Sequence, residues 1–170
     1  MEQPTVSPSG ASRQIRIAAS ASTVWSLVSV VERFGEWSPE TYRVEWVTPP
    51  PQGVGSRFRG YNHNLDKTKS WWSECEVLQM DQEHVFSFSV LCVDFGDGNV
   101  IDLRGNGSTT WRYAIDKTNA AEGEVILVLG FDCPSFSDPQ SDYRRAGRFE
   151  DLESGCEQTL QQLKRAAEQR

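Results

Sequence analysis

Histidine is nearly missing: only His63 and His84 occur in 170 residues. A general-base centre or an imidazole-rich metal site therefore has little to draw on. Cysteine is sparse as well. Cys75, Cys92, Cys133 and Cys156 lie far apart without a CxxC pair, which points away from a zinc knuckle. In a reducing compartment they read as small buried apolar residues, with a reactive thiol facing a cavity as the other reading. No apolar run approaches the ~18 residues needed to cross a bilayer. The opening MEQPTVSPSGAS has neither the basic nor the apolar segment of a secretory signal, so the expected location is the cytoplasm. Basic residues are the minority, 17 against 24 acidic, for a net charge of −7. Such a surface repels phosphate backbones and anionic lipid, which argues against nucleic acid and membranes as partners. GxSxG, HExxH, Walker and EF-hand patterns are all missing, and GDGNVIDLRGNG does not follow a dinucleotide fingerprint. Neither a cofactor nor a metal is expected.

What the chain does have is aromatic rings, with six Trp and eight Phe. Large rigid rings bury much area at low entropic cost, which suits a core or the wall of a pocket. The length fits one domain, and no repeat or linker divides it. Residues 1–12, rich in Pro, Ser and Gly, read as a flexible tail, leaving 13–170 as the domain. RQIRIAA reads as a first strand. Ser20 or Ser22 then caps a helix with Val24, Leu27, Val28 and Val31 on one stripe, widened by Trp25 and Phe34 and ended by Gly35. YRVEWV places Tyr42, Val44 and Trp46 on one strand face. From Gly55 to about Cys133 the period is two. Phe58, Gly60 and Asn62 share a face opposite Arg57, Arg59, Tyr61 and His63. Trp71, Ser73, Cys75 and Val77 share one opposite Glu74 and Glu76. Phe86, Phe88, Val90 and Cys92 alternate with Ser87 and Ser89, and Thr109, Trp111, Tyr113 and Ile115 follow the same rule. EVILVLGFDC is apolar almost throughout, as a well-covered strand should be. The C-terminal part reads as one long helix from about Ser141 to Ala167, with a stripe of Phe149, Leu152, Cys156, Leu160, Leu163 and Ala167.

A continuous run of strands between helices predicts an α+β domain with a mainly antiparallel sheet of about seven strands. One terminal helix cannot fill the concavity of a curved sheet. Either large side chains fill it or a cavity remains.

The stretches IRIAASASTVWSLVSVVERFGEWSPE, VGSRFRGYN, WWSECEVLQM with FSFSV, WRYAID and TLQQLKRAAEQ resemble, in order and spacing, the polyketide cyclase/dehydrase-like branch of the START and Bet v 1 helix-grip superfamily. The resemblance spans about residues 13–168. It implies a curved antiparallel sheet wrapped around a long C-terminal helix, with short helices after the first strand. It also implies a small hydrophobic or aromatic ligand and a monomer or weak homodimer. The branch includes bacterial aromatase/cyclases, passive carriers of lipids or plant hormones, and self-resistance proteins that sequester or sacrificially inactivate enediyne antibiotics. Two positions depart from its pattern: Val30 stands where an acidic residue is common, and Gly35 where a proline is. The glycine-rich stretch from Asp94 to Gly107 is longer than usual and is expected to lie over one cavity mouth.

Strand parity names the candidate ligand-binding residues: Trp37, Phe58, Asn62, Trp71, Ser73, Phe86, Phe88, Trp111 and Tyr113. The rings would wall an apolar cavity, with Trp37 closing one end and Gly60 leaving room. Asn62, Ser73 and Tyr113 would orient a ligand, since an unpaired buried polar group costs about 1–3 kcal/mol. The alternative is that the rings pack against one another as core. Tyr113 is the one catalytic candidate, as a donor to a ketone; a base is not evident, because His63 and His84 fall on outer or turn positions. Binding of a polyketide-type or aromatic natural product, as part of secondary metabolism, is the first reading; aromatase/cyclase chemistry is the alternative, and self-resistance by sequestering or sacrificially inactivating an enediyne-type antibiotic a further one.

Overall fold

The computed structural model describes residues 8–169. Of the expected tail, residues 1–7 lie outside the described residues, whereas Gly10 to Ser12 already belong to the first strand. The elements are β1 (Gly10–Ile17), α1 (Ala21–Ser29), a 3₁₀ turn (Val31–Glu36), β2 (Thr41–Trp46), β3 (Arg57–His63), β4 (Ser70–Asp81) and β5 (Val85–Asp94). They continue with β6 (Ile101–Asp102), β7 (Thr110–Asp116), β8 (Val125–Asp132), a second 3₁₀ turn (Pro134–Ser137), α2 (Asp142–Arg145) and α3 (Arg148–Glu168).

The strands form one curved antiparallel sheet in the order β1-β8-β7-β5-β4-β3-β2, and the two-residue β6 adds to β5. This is the expected α+β helix-grip arrangement, with the sheet wrapped around α3. Both edges are strands from the first half of the chain.

Local chemistry explains the first corner. The Ser20 hydroxyl accepts a hydrogen bond from the Thr23 amide at 3.1 Å and starts α1. Val24, Leu27 and Val28 of its stripe are fully buried. The helix ends at Ser29, not at Gly35, and the chain tightens into the 3₁₀ turn. Gly35 sits inside that turn because β2 passes close: a Cβ there would lie 2.7 Å from the Tyr42 carbonyl oxygen.

Two β-bulges revise the expected parity. Thr41 pairs with Asn62 but Arg43 pairs with Tyr61, so Tyr42 is the surplus residue. It turns outward, more than half exposed, and stacks on the His63 ring at 5.5 Å, leaving Val44 and Trp46 inside. In β5, Val90 pairs with Cys75 and Cys92 with Glu74, so Leu91 is surplus. Cys92 therefore joins the outer face with Glu74, and Val93 takes the inner one.

The C-terminal helix is also interrupted. Ser141 caps the short α2, Gly147 adopts the left-handed conformation with φ +76°, and α3 starts afresh at Arg148. Its stripe of Phe149, Leu152, Cys156, Leu160, Leu163 and Ala167 is buried as expected. α3 leans on β1 and β8 and on α1. Across β3, β4 and β5 the space beneath it stays open.

Candidate functional site: an aromatic cavity under the long helix

That open space is a cavity of about 480 Å³. Antiparallel pairing stacks its wall in tiers. Phe58 lies opposite Cys75, Gly60 opposite Ser73, and Asn62 opposite Trp71, so each step along β3 and β4 adds one inward pair. Phe88 faces Trp111 across β5 and β7. Strand direction puts Asn64, Lys69, Trp71, Phe95 and Arg148 at the mouth, and Phe34, Trp37, Phe58, Phe88, Tyr113 and Thr159 at the closed end.

Trp37 seals the closed end. It is 2% exposed, its indole Nε1 donates to the Leu27 carbonyl at 3.0 Å, and its ring meets Phe34 at 4.8 Å and Tyr113 at 5.8 Å. Phe58 and Phe88 meet edge to face at 5.1 Å. All the residues expected on the cavity wall line it except Phe86. That ring is on the inner face but too far along β5. It is fully enclosed against Trp25 of α1 at 6.5 Å and Phe88 at 6.0 Å, so it is core.

The polar groups fall into two kinds. Asn62 is already satisfied: its Oδ1 accepts from the Thr41 hydroxyl at 2.7 Å, and its Nδ2 donates to the Ser73 hydroxyl at 3.0 Å. This small network holds the β2 approach to β3 and β4. Tyr113, 5% exposed, has no hydrogen-bonding partner for its hydroxyl among the described residues, and burial raises its pKa above the usual phenol range. Thr159, contributed by α3 and missed by strand reasoning, is a second buried hydroxyl on the wall.

Charge is confined to the mouth and the outer face. Arg148, the first residue of α3, donates to Glu40 at 3.0 Å and lies over the Trp71 ring at 5.9 Å, so the helix is tied to the approach to β2. Phe95 and Leu103 bring the glycine-rich 94–107 stretch to this rim. Arg57 and Arg59 point outward, as parity required, and pair with Glu74 and Glu76 at 3.3–3.7 Å. The Arg59 guanidinium also covers the Trp72 ring at 4.0 Å. Neither arginine lines the cavity. Cys75 lines the cavity, but burial pushes its thiol pKa up, away from the nucleophilic thiolate. His63 and His84 do not line it.

A concave, largely apolar cavity with few polar groups, gripped by one long helix, is the architecture of a helix-grip domain. The chain belongs to the family described as polyketide cyclase / dehydrase and lipid transport, whose model matches residues 10–168. No curated protein sequence is similar enough to count as a relative. Among solved structures, the ZhuI aromatase/cyclase from Streptomyces sp. R1128 superposes with a TM-score of 0.65 at 17% identity, over 95% of this chain and 94% of its own. A START superfamily protein from Mycobacterium smegmatis gives 0.60 at 19% identity, over 91% and 98%. The major latex-like protein 151 of Panax ginseng gives 0.64 at 10% identity, over 93% and 96%. At such identities the likeness is one of fold.

Proposed function

We propose that the protein binds a small hydrophobic, aromatic or polyketide-type natural product in this cavity. The observation that carries the reading is the cavity itself: about 480 Å³ of space walled by aromatic rings, in a chain whose fold could have been packed solid. Trp37, Phe58, Asn62, Trp71, Ser73, Phe88, Trp111 and Tyr113 are the contact residues in this reading. The family's description and the aromatase/cyclase neighbour favour a polyketide-type ligand. Four free thiols suit the reducing cytoplasm, and the acidic surface suits neither nucleic acid nor anionic membrane.

Cyclisation of a poly-ketone chain is the second reading, supported by the Tyr113 hydroxyl as a donor to a ketone. It also needs a base. The wall carboxylates are Glu40, held by Arg148, and Asp151, both at the mouth end. Binding asks for less than the geometry already provides.

Native mass spectrometry of freshly purified protein, followed by tryptophan-quenching titrations with fluorene and 9-fluorenone, tests the binding reading. A co-purifying adduct or saturable one-to-one quenching is expected. The absence of both, up to the solubility of the probes, would overturn it.

A further inference from the structure

Tyr113 differs from the other polar side chains that the strands bring to the cavity. Asn62 and Ser73 satisfy one another, and the Trp37 indole is spent on Leu27. The Tyr113 ring is fixed by Trp37 at 5.8 Å, while its hydroxyl meets no acceptor or donor among the described residues. The hydroxyl lies on the cavity wall, where a group of the ligand can reach it.

We infer that the closed end of the cavity is built to receive a neutral acceptor oxygen, a ketone or quinone carbonyl on the leading ring of the ligand, with the Tyr113 hydroxyl as its donor. The inference rests on the reading that the cavity binds a ligand, and adds which end of that ligand enters first and what it carries.

Three observations set the chemistry. First, the phenol stays protonated, because burial disfavours its anion, so it arrives as an O–H donor. Second, among the described residues no cation lines this end. Lys69 and Arg148 belong to the mouth, and Arg57 and Arg59 are turned outward onto Glu74 and Glu76. A carboxylate or enolate lodged beside Tyr113 would be a buried, unpaired charge, which a neutral carbonyl is not. Third, Thr159 of α3 supplies another buried hydroxyl on the same wall, so one oxygen with two lone pairs can be met from strand and helix together. Polar or ionised substituents are then left trailing toward Lys69, Arg148 and Asp151.

Fluorene and 9-fluorenone test this directly, since they share one ring frame and differ by the carbonyl oxygen. The quantity to measure is the ratio of their dissociation constants in the wild type and in Tyr113→Phe, which cancels their different hydration. Tyr113→Phe removes only an unbonded hydroxyl, and a melting curve establishes that it folds. The variant is expected to weaken fluorenone relative to fluorene by about fivefold to tenfold, the worth of one neutral hydrogen bond, with fluorene itself changed less than about twofold. The bound fluorenone carbonyl stretch should fall in frequency in the wild type and return in the variant. An unchanged ratio and an unshifted stretch would overturn the donor role while leaving cavity binding intact. Equal weakening of both probes would make Tyr113 a packing residue and overturn it too. Failure of the wild type to bind either probe would remove the cavity reading and this inference with it.

Discussion

Phe86 and Trp111 lie on the same face of neighbouring strands, yet their surroundings differ completely. Phe86 is fully enclosed, so Phe86→Ala should open a new void and cost about 3–5 kcal/mol. Trp111 is half-buried against Phe131 at 5.7 Å with its other side on the existing cavity. Trp111→Ala should therefore cost less than about half as much stability while weakening fluorene binding at least tenfold, through loss of a stacking surface. Chemical denaturation and quenching titrations on both variants check the contrast; a reversed order of stability loss would return Trp111 to the core. Nothing in the sequence distinguishes these two residues, because parity reports a face and not how far along it the helix α1 reaches. Tyr113 was legible as an inward polar group. That its hydroxyl is unpaired, whereas Asn62 is satisfied by Thr41 and Ser73, depends on cross-strand register and was not.

At the scale of elements, period two in β3, β4 and β7 and the stripes of α1 and α3 were enough to place nearly the whole wall. The departures sit where one surplus residue breaks the rhythm. Tyr42 and Leu91 are such residues, and a bulge is a property of two paired strands that one strand's composition does not announce. The break at Gly147 likewise followed from a left-handed backbone inside what reads as a continuous helical pattern. Gly35 gives the clearest expectation. Its missing Cβ is required by the Tyr42 carbonyl, a backbone atom that cannot swing aside. Gly35→Ala should destabilise the protein by about 1–3 kcal/mol through overpacking. Because the 3₁₀ turn carries Phe34 into the closed end, fluorene affinity should fall as well. An alanine variant that melts and binds like the wild type would show that β2 can yield.

For the molecule as a whole, the Arg148–Glu40 pair ties the start of the gripping helix to the far edge of the sheet, over the mouth. Both side chains remain about a third exposed, so the pair should matter little to stability, about 1 kcal/mol or less. Its larger effect should be kinetic. Arg148→Ala is expected to raise the dissociation rate of fluorene severalfold in stopped-flow quenching, and added salt should do the same to the wild type but not to the variant. Identical rates in the two proteins would mean that ligands leave by another route. The pairing of β1 with β8 has a different consequence, for the order in which the chain is made. Gly10 finds its partner only in Asp132, and Ile17 only in Val125. A ribosome releasing the chain from its N-terminus therefore exposes β1 long before the strand that holds it exists. The sheet edge and the seat of the final helix are completed together, when β8 is made, so a product truncated before Val125 would carry an orphan strand with no cavity behind it.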